Sequence, residues 1–395
     1  MSLQTRARPA TPQTARAIND RAALDLFAAR GALTAGDLQQ ATGLARPTVA
    51  DLLARLAGDG LIEQIGETGA DRRGPNARLY ALDGRAGCIA GLDVRRSRVG
   101  LAVADLAGRL LARRRVEIPP GMPGGVALGM IADRLRDAAT VPGAGRLHTV
   151  VIGLPGLINP ITRQVSGARE DLAWHAELRG AAARSAGLDP AAVIVENEVN
   201  LAALAEHRAL QQYGEDTFGL LWLADGVGAG LVLDGVLRRG ASGGAGEIGY
   251  LAVPGGAPDP GDLAGPGGLG GSGRPSGPAS LCDLVSSVPL RELATEHGTT
   301  PDDFGHEGYL AEAASRIATG AVALAVTVDP GLIVLGGPTG LAGGEALAGA
   351  VARETTRVCP VPTRVRPTAV PGNPILTGAV ATALARARTA LWPAG

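Results

Sequence analysis

The stretch "AGLDVRRSRVGLAVADLAG", Ala90–Gly108, reads as a hairpin: two runs rich in Val, Leu, Ala and Gly flank a polar turn at Arg95, Arg96 and Ser97, and Asp105–Gly108 makes a second turn. A basic run, "RLLARR", follows it. The segment "GLLWLADGVGAGLVLDGVLRRG" (219–240) repeats that order of strand, glycine-bearing turn, strand, Asp-Gly turn and basic strand. Two copies of one unit predict two lobes with a cleft between them. From residue 85 onward, further Val/Ile/Leu-rich strands alternate with Ala-rich helices, which is an α/β pattern.

With 395 residues, 46% hydrophobic and 19% charged, the chain can bury a large core in two or three domains. Its formal net charge of −1 offers no global attraction for nucleic acid, so any basic contact surface has to be local. All 37 basic residues are arginine, a bias that accompanies 59 Gly and 27 Pro and carries little functional weight. Cys88, Cys282 and Cys359 are too scattered for a C-x-x-C metal pair or a disulfide framework, so no metal is expected. Neither a signal-peptide core nor a run of about 18 apolar residues is present. A soluble, cytoplasmic protein without membrane contact is the expectation. His148, His175, His207, His297 and His306 stand apart in sequence and read as surface or packing residues, with His175 the exception taken up below.

Ahead of the α/β region, residues 1–16 read as a flexible Arg/Pro/Thr tail and 17–84 as a separate module. In "LTAGDLQQATGLARPTVADLLARLAGDGLIEQIG" (33–66), Thr34 and Asp37 form a capping box for a helix to about Thr42, and Gly43 supplies a left-handed turn that Leu44 plugs. Pro47 suits the first turn of the next helix. There Val49, Leu52, Leu53 and Leu56 share the buried face and leave Thr48, Asp51 and Arg55 outside. The result is a helix-turn-helix that presents Arg46, Pro47 and Thr48 where such helices meet base edges. Two strand-like segments, "LIEQIG" and "ARLYAL", then bracket a wing in which Arg72 and Arg73, beside Gly74 and Pro75, suit a narrow minor groove. Thr34, Arg46, Pro47, Thr48, Asp51, Arg55, Arg72, Arg73, Gly74 and Pro75 are the candidate DNA contacts. The bland alternative is a helical dimerisation module with solvated wing arginines.

The segments "VVIGLPGLINP" (150–160), "VENEVNLAALAEH" (195–207), "ADGVGAGLVLDGVLRRGASGGAGEIGYLAV" (224–253), "VDPGLIVLGGP" (328–338) and "LTGAVATALARA" (376–387) resemble, in order, those of the ROK family of repressors and sugar kinases. A winged helix-turn-helix in front is the mark of its regulator branch, which includes the xylose and N-acetylglucosamine repressors. The resemblance implies an N-terminal winged helix-turn-helix followed by a two-lobed α/β domain of the actin-like ATPase (ribonuclease-H-like) fold. Residues 85–395 would then sense an effector and oligomerise, with 254–280 as a flexible Gly/Pro-rich loop.

Departures from the family's kinases bear on chemistry. Their opening D-x-G-G-T turn is here Asp93, Val94, Arg95, Arg96, Ser97, which lacks the glycines that let backbone N–H groups approach phosphate. An alternative is that Arg95 or Arg96 grips phosphate through its side chain. Their second phosphate turn, G-T-G-I-G-A-G, is here Ala224–Gly230, with the carboxylate of Asp225 where a hydroxyl would face phosphate. Their N-D-A-N is here Asn197, Glu198, Val199, Asn200, so the catalytic carboxylate is one methylene longer. The histidine that would close the sugar site and join a zinc cluster is Tyr250, and no cysteine lies between it and Cys282.

No catalytic residues, no nucleotide cofactor and no zinc are therefore expected, and the protein is not read as an enzyme. By resemblance, Arg169, His175, Asn197, Glu198, Glu247 and Tyr250 are the candidate effector contacts, and Arg95, Arg96 and Arg169 allow a phosphorylated or acidic effector. The resulting expectation is a repressor that binds a double-stranded DNA operator as a homodimer or homotetramer and responds to a sugar-derived ligand. A functional sugar kinase with an added DNA-binding domain, and a regulator without ligand response, are the alternatives.

Overall fold

The computed structural model describes residues 12–67, 77–138, 140–141, 143–166, 170–253 and 280–392. The wing residues Arg72, Arg73, Gly74 and Pro75, together with Arg169 and nearly all of the Gly/Pro-rich loop, lie outside the described residues. Helix α1 (Pro12–Arg30) leads, so the last residues assigned to a flexible tail are helical; Pro12 fits the first helical position, where no backbone donor is needed. After β1 (Leu33–Thr34) come α2 (Ala35–Thr42) and α3 (Arg46–Gly58), then the antiparallel pair β2 (Ile62–Glu67) and β3 (Arg78–Leu82). Leu24, Phe27, Leu38, Val49, Leu52, Leu53, Leu56 and Ile62 form the core of this small domain, as the periodicity requires.

The first lobe is a sheet of β4 (Cys88–Val94), β5 (Arg98–Asp105), β6 (Leu110–Glu117), β7 (Leu147–Leu154) and β10 (Val193–Asn197), in the order β10-β7-β4-β5-β6. Helices α4 (Gly124–Ala138) and α5 (Leu178–Ala186) cover one of its faces. A short hairpin of β8 (Leu157–Ile158) and β9 (Val165–Ser166) follows β7. The second lobe repeats the plan with β11 (Phe218–Leu223), β12 (Val227–Leu233), β13 (Val236–Arg238), β14 (Leu332–Gly336) and β15 (Arg364–Pro367), ordered β13-β12-β11-β14-β15. In each sheet the first strand pairs antiparallel with the second and parallel with the fourth, so the two hairpins read as repeats in sequence hold equivalent places.

Helix α6 (Glu198–Leu210) packs on the second sheet. On the outside of that lobe lie α7 (Leu281–Val285), α8 (Ser287–Glu296), α9 (Glu307–Val328) and α10 (Gly337–Val358). By length and composition α9 could cross a membrane, but Tyr309, Ala313, Ile317, Ala321 and Leu324 bury one face of it in this core. Helix α11 (Pro374–Leu391) lies against the first sheet and against α6, so α6 and α11 form a layer between the lobes.

The division at residue 84 is less clean than the sequence implies. Beyond α11, Trp392 is buried in the helix-turn-helix core, 4% exposed, beside Leu391 and Ala107. The guanidinium carbons of Arg21 and Arg388 sit 5.2 and 5.4 Å from the centre of its ring, and Arg388 also donates to the Leu106 carbonyl. Thus one indole and the second turn of the opening hairpin join the small domain to the lobes. Replacing this plug by alanine, Trp392→Ala, is expected to cost about 3–5 kcal/mol. Denaturant unfolding followed at the N-terminal domain should show that loss, with the lobes melting later than the small domain.

Candidate DNA-binding surface and inter-lobe cleft

The Thr34 side chain accepts from the Asp37 backbone N–H at 3.2 Å, while the Asp37 carboxylate accepts from the Thr34 N–H and hydroxyl at 2.8 and 2.7 Å. These bonds hold the Asp37 carboxyl below its ordinary range. Thr34 is thus a helix cap, and its hydroxyl is engaged within the domain rather than offered to DNA. Gly43 ends α2 at φ 70°, and its N–H returns to the Gln39 carbonyl, as its place in the turn demands. From there α3 starts with Arg46, Pro47, Thr48 and Asp51 all exposed. Arg55 departs from the expectation: its guanidinium reaches across to Asp20 of α1 at 2.6 Å, so it ties two helices together. The preceding turn carried no signal for this, because the partner lies 35 residues away.

The cleft is built where β4, β10 and α11 meet. Asp93, 2% exposed, is the penultimate residue of β4 and accepts from Arg95 Nε at 2.7 Å and from Asn373 Nδ2 at 2.8 Å. Arg95 Nη1 also donates to Glu198, the first residue of α6. Burial raises the Glu198 carboxyl; Asp93 and Asp225 push the same way, and Arg95 opposes them. Arg95, which on the alternative reading grips phosphate, is therefore committed to two carboxylates, and Glu198 is held by its guanidinium. Arg96 is exposed.

Asn197 is likewise occupied. Its Oδ1 accepts from the N–H groups of Val199 and Asn200 at 2.8 and 3.2 Å, and its Nδ2 donates to the Gly156 carbonyl at 2.9 Å. Glu196, 3% exposed, accepts from Asn200 Nδ2 at 2.9 Å and Arg239 Nε at 2.7 Å. Glu247 follows Gly246, whose φ of 86° and approach to the Ala229 carbonyl leave no room for a Cβ, which would sit 1.9 Å from that oxygen. This close approach lays the "AGEIGY" loop along β12 and places Glu247 in the cleft, where burial and the charge of Glu198 raise its carboxyl above the ordinary range.

Of the six candidate effector contacts, Arg169 lies outside the described residues, while Asn197, Glu198, Glu247 and Tyr250 lie near one another. His175 is 1% exposed, buried beside Trp174, whose ring it meets edge-on at 4.3 Å. Tyr250 is 52% exposed, one turn beyond Glu247. Asn197 and Glu198 face the cleft but have partners within the chain. The histidines that stand apart in sequence do not all stand apart in space: His297 and His306 lie 5.8 Å apart, His306 caps α9, and His207 contacts Asp216. Among the described residues no group of three or more His, Cys, Asp or Glu could hold a metal. The donor set of the cleft does not suit a triphosphate either, since Asp93 and Glu198 already occupy the Arg95 guanidinium and the charges of Asp225 and Glu247 act on the same site.

Residues 89–284 match the ROK family and residues 22–66 match the IclR helix-turn-helix domain. A putative xylose repressor of Caldicellulosiruptor sp. is 27% identical over 215 residues, 53% of this chain and 52% of that protein. The glucokinase of Streptomyces coelicolor is 30% identical over 169 residues, 42% of this chain and 50% of that enzyme. This chain thus spans about half the length of these curated relatives. Among solved structures, a ROK family transcriptional regulator described as a homolog of the E. coli MLC protein aligns with TM-score 0.68 at 18% identity, covering 94% of this chain and 97% of the other, a likeness of fold.

The raised carboxyl of Glu247 has a signed consequence. Its folded-state value lies above the unfolded one, so its ionisation opposes folding as pH rises past the ordinary value of 4.5. Glu247→Gln should therefore raise the melting temperature at pH 7, and the gap to the parent should close as pH falls toward 4. Thermal melts across that range check it.

Proposed function

Because the chain carries a ROK family domain behind an IclR-type helix-turn-helix, we propose that it is a sequence-specific DNA-binding transcriptional repressor, cytoplasmic and not an enzyme, that answers to a sugar-derived effector. One observation carries the reading. Helix α3 buries Val49, Leu52, Leu53 and Leu56 while leaving Arg46, Pro47, Thr48 and Asp51 exposed at its start, the geometry of a recognition helix. A single such helix reads a half-site too small for genomic specificity, so a homodimer or homotetramer on a palindromic operator is part of the proposal.

The cleft supplies a route for response. An effector that engages Glu198 displaces Arg95, which frees Asp93 and with it the Asn373 cap of α11. That helix, 18 residues or about 27 Å long, runs from the cleft to the indole seated in the DNA-binding core. A ligand shifts operator affinity only by its preference for one of the two arrangements. The surplus of carboxylates disfavours a phosphorylated or acidic occupant here and favours a neutral sugar. The glucokinase similarity supports the competing reading of a sugar kinase, which the Arg95 clamp opposes. The internal satisfaction of Asn197 and Glu198 favours a third reading, a regulator without ligand response.

On a selected operator, Arg46→Ala is expected to weaken specific binding by about 1–3 kcal/mol, and Arg73→Ala to lower affinity mainly at AT-rich flanks. Electrophoretic mobility shifts with both variants measure this; unchanged binding in both refutes the docking. With ATP and a panel of hexoses, a coupled assay should register no turnover. Turnover that vanishes in Glu198→Gln would instead establish the kinase.

A further inference from the structure

A second concavity lies away from the cleft, between the outer edge of the first sheet and the far end of α11. It encloses about 470 Å³, the size of a small-molecule site, and Val193–Val195 of the edge strand β10 form its floor. Three arginines line it from three separate elements: Arg163 from the β8–β9 hairpin, Arg179 from α5 and Arg386 from α11. Against them stands one carboxylate, Asp189, part of whose capacity is spent accepting from the Ala191 N–H at 2.7 Å.

Each arginine is set in place without being neutralised. The Arg179 guanidinium donates to the backbone carbonyls of Pro190 and Val193 at 3.0 to 3.2 Å, which fixes its plane and leaves its charge unpaired. Arg163 sits at φ 61°, a left-handed conformation that a side-chain-bearing residue rarely adopts. It is held there by a turn in which the Asn159 side chain accepts from Ile161 and Thr162. Neither Arg163 nor Arg386 has an ion-pair partner among the described residues. His148, whose imidazole is shifted toward the neutral form by burial and by Arg146, completes one wall and can add an uncharged hydrogen bond.

We propose that this groove is a second ligand site, taking a small phosphate-bearing anion. Arginines from three separate elements, each with a guanidinium fork, match the oxygens of a phosphate. Its chemistry is the reverse of the cleft, where carboxylates predominate. Its position has a consequence as well: Arg386 and Thr389 line it from the turns of α11 that lead directly into Trp392. An anion that bridges those turns to α5 and β10 restrains the helix end on which the DNA-binding domain is seated.

Calorimetric titration of the full chain with pyrophosphate, orthophosphate and glucose 6-phosphate at low ionic strength, without DNA, tests the site independently of the regulatory reading. Saturable one-site binding is expected, weakened at least tenfold by Arg163→Gln and by Arg386→Gln, and unchanged by Arg291→Gln on the exposed face of α8. Both groove arginines lie outside the core, so melting curves should confirm intact folds. The phosphate compounds separate the sources: preference for glucose 6-phosphate assigns a phosphorylated metabolite, and equal or better binding of pyrophosphate a free phosphate. Absence of saturable binding, or binding that persists in the double variant R163Q/R386Q, overturns the proposal. So does an Arg386→Gln variant that loses DNA affinity in phosphate-free buffer while the parent shows no anion binding, because the groove would then be a contact to the DNA backbone.

Discussion

Two helices, α6 and α11, are buried between two sheets that each need an apolar cover on their inner faces, and most of the molecule follows from that burial. The layer they form includes Leu201, Ala202, Ala203, Ile375, Ala379 and Ala383, small or branched side chains that let the helices and sheets approach closely. Because both helices belong to this one layer, their starting residues converge: Asn197 and Glu198 at one, Asn373 at the other. The cleft is the polar rim of a packed apolar layer. Its contents are therefore coupled to the helices by the caps themselves, through Asn197 to α6 and through Asn373 and Asp93 to α11.

Electrostatics then divides the labour. In the cleft, the carboxylates of Asp93 and Glu198 share the Arg95 guanidinium while Glu247 faces the charge of Glu198, and desolvation makes charge costly there, which is why the Glu198 and Glu247 carboxyls rise. A phosphate would add a further negative charge to that set. Around the outer groove the imbalance has the opposite sign, with three arginines and one aspartate in its lining. Trp392 makes the end of α11 part of the helix-turn-helix core.

Local features were the legible ones. The capping box at Thr34, the left-handed Gly43, Pro47 in the first turn of α3 and its four buried residues each depend on neighbours within about one or two helical turns, and all are found where the pattern places them. The repeated hairpins were legible for the same reason. Roles that depend on distant partners were not: Thr34 and Arg55 read as DNA contacts but serve the cap and a tie to Asp20, and His175, on a presumed wall of the cleft, is packed inside against Trp174.

The amino-acid order alone determined the class of each lobe, the helix-turn-helix and the loss of the glycine-lined phosphate turn, because strand alternation, helix periodicity and backbone freedom at glycine are local properties of a chain. Tertiary structure decided what replaced that turn. An arginine beside an aspartate announces a charge but not its destination; Glu198 is 103 residues from Arg95, and Asn373 is 280 from Asp93. Only the packing of α6 and α11 between the sheets brings those four side chains within hydrogen-bonding distance, and the energy of a charge depends on the groups that surround it after folding.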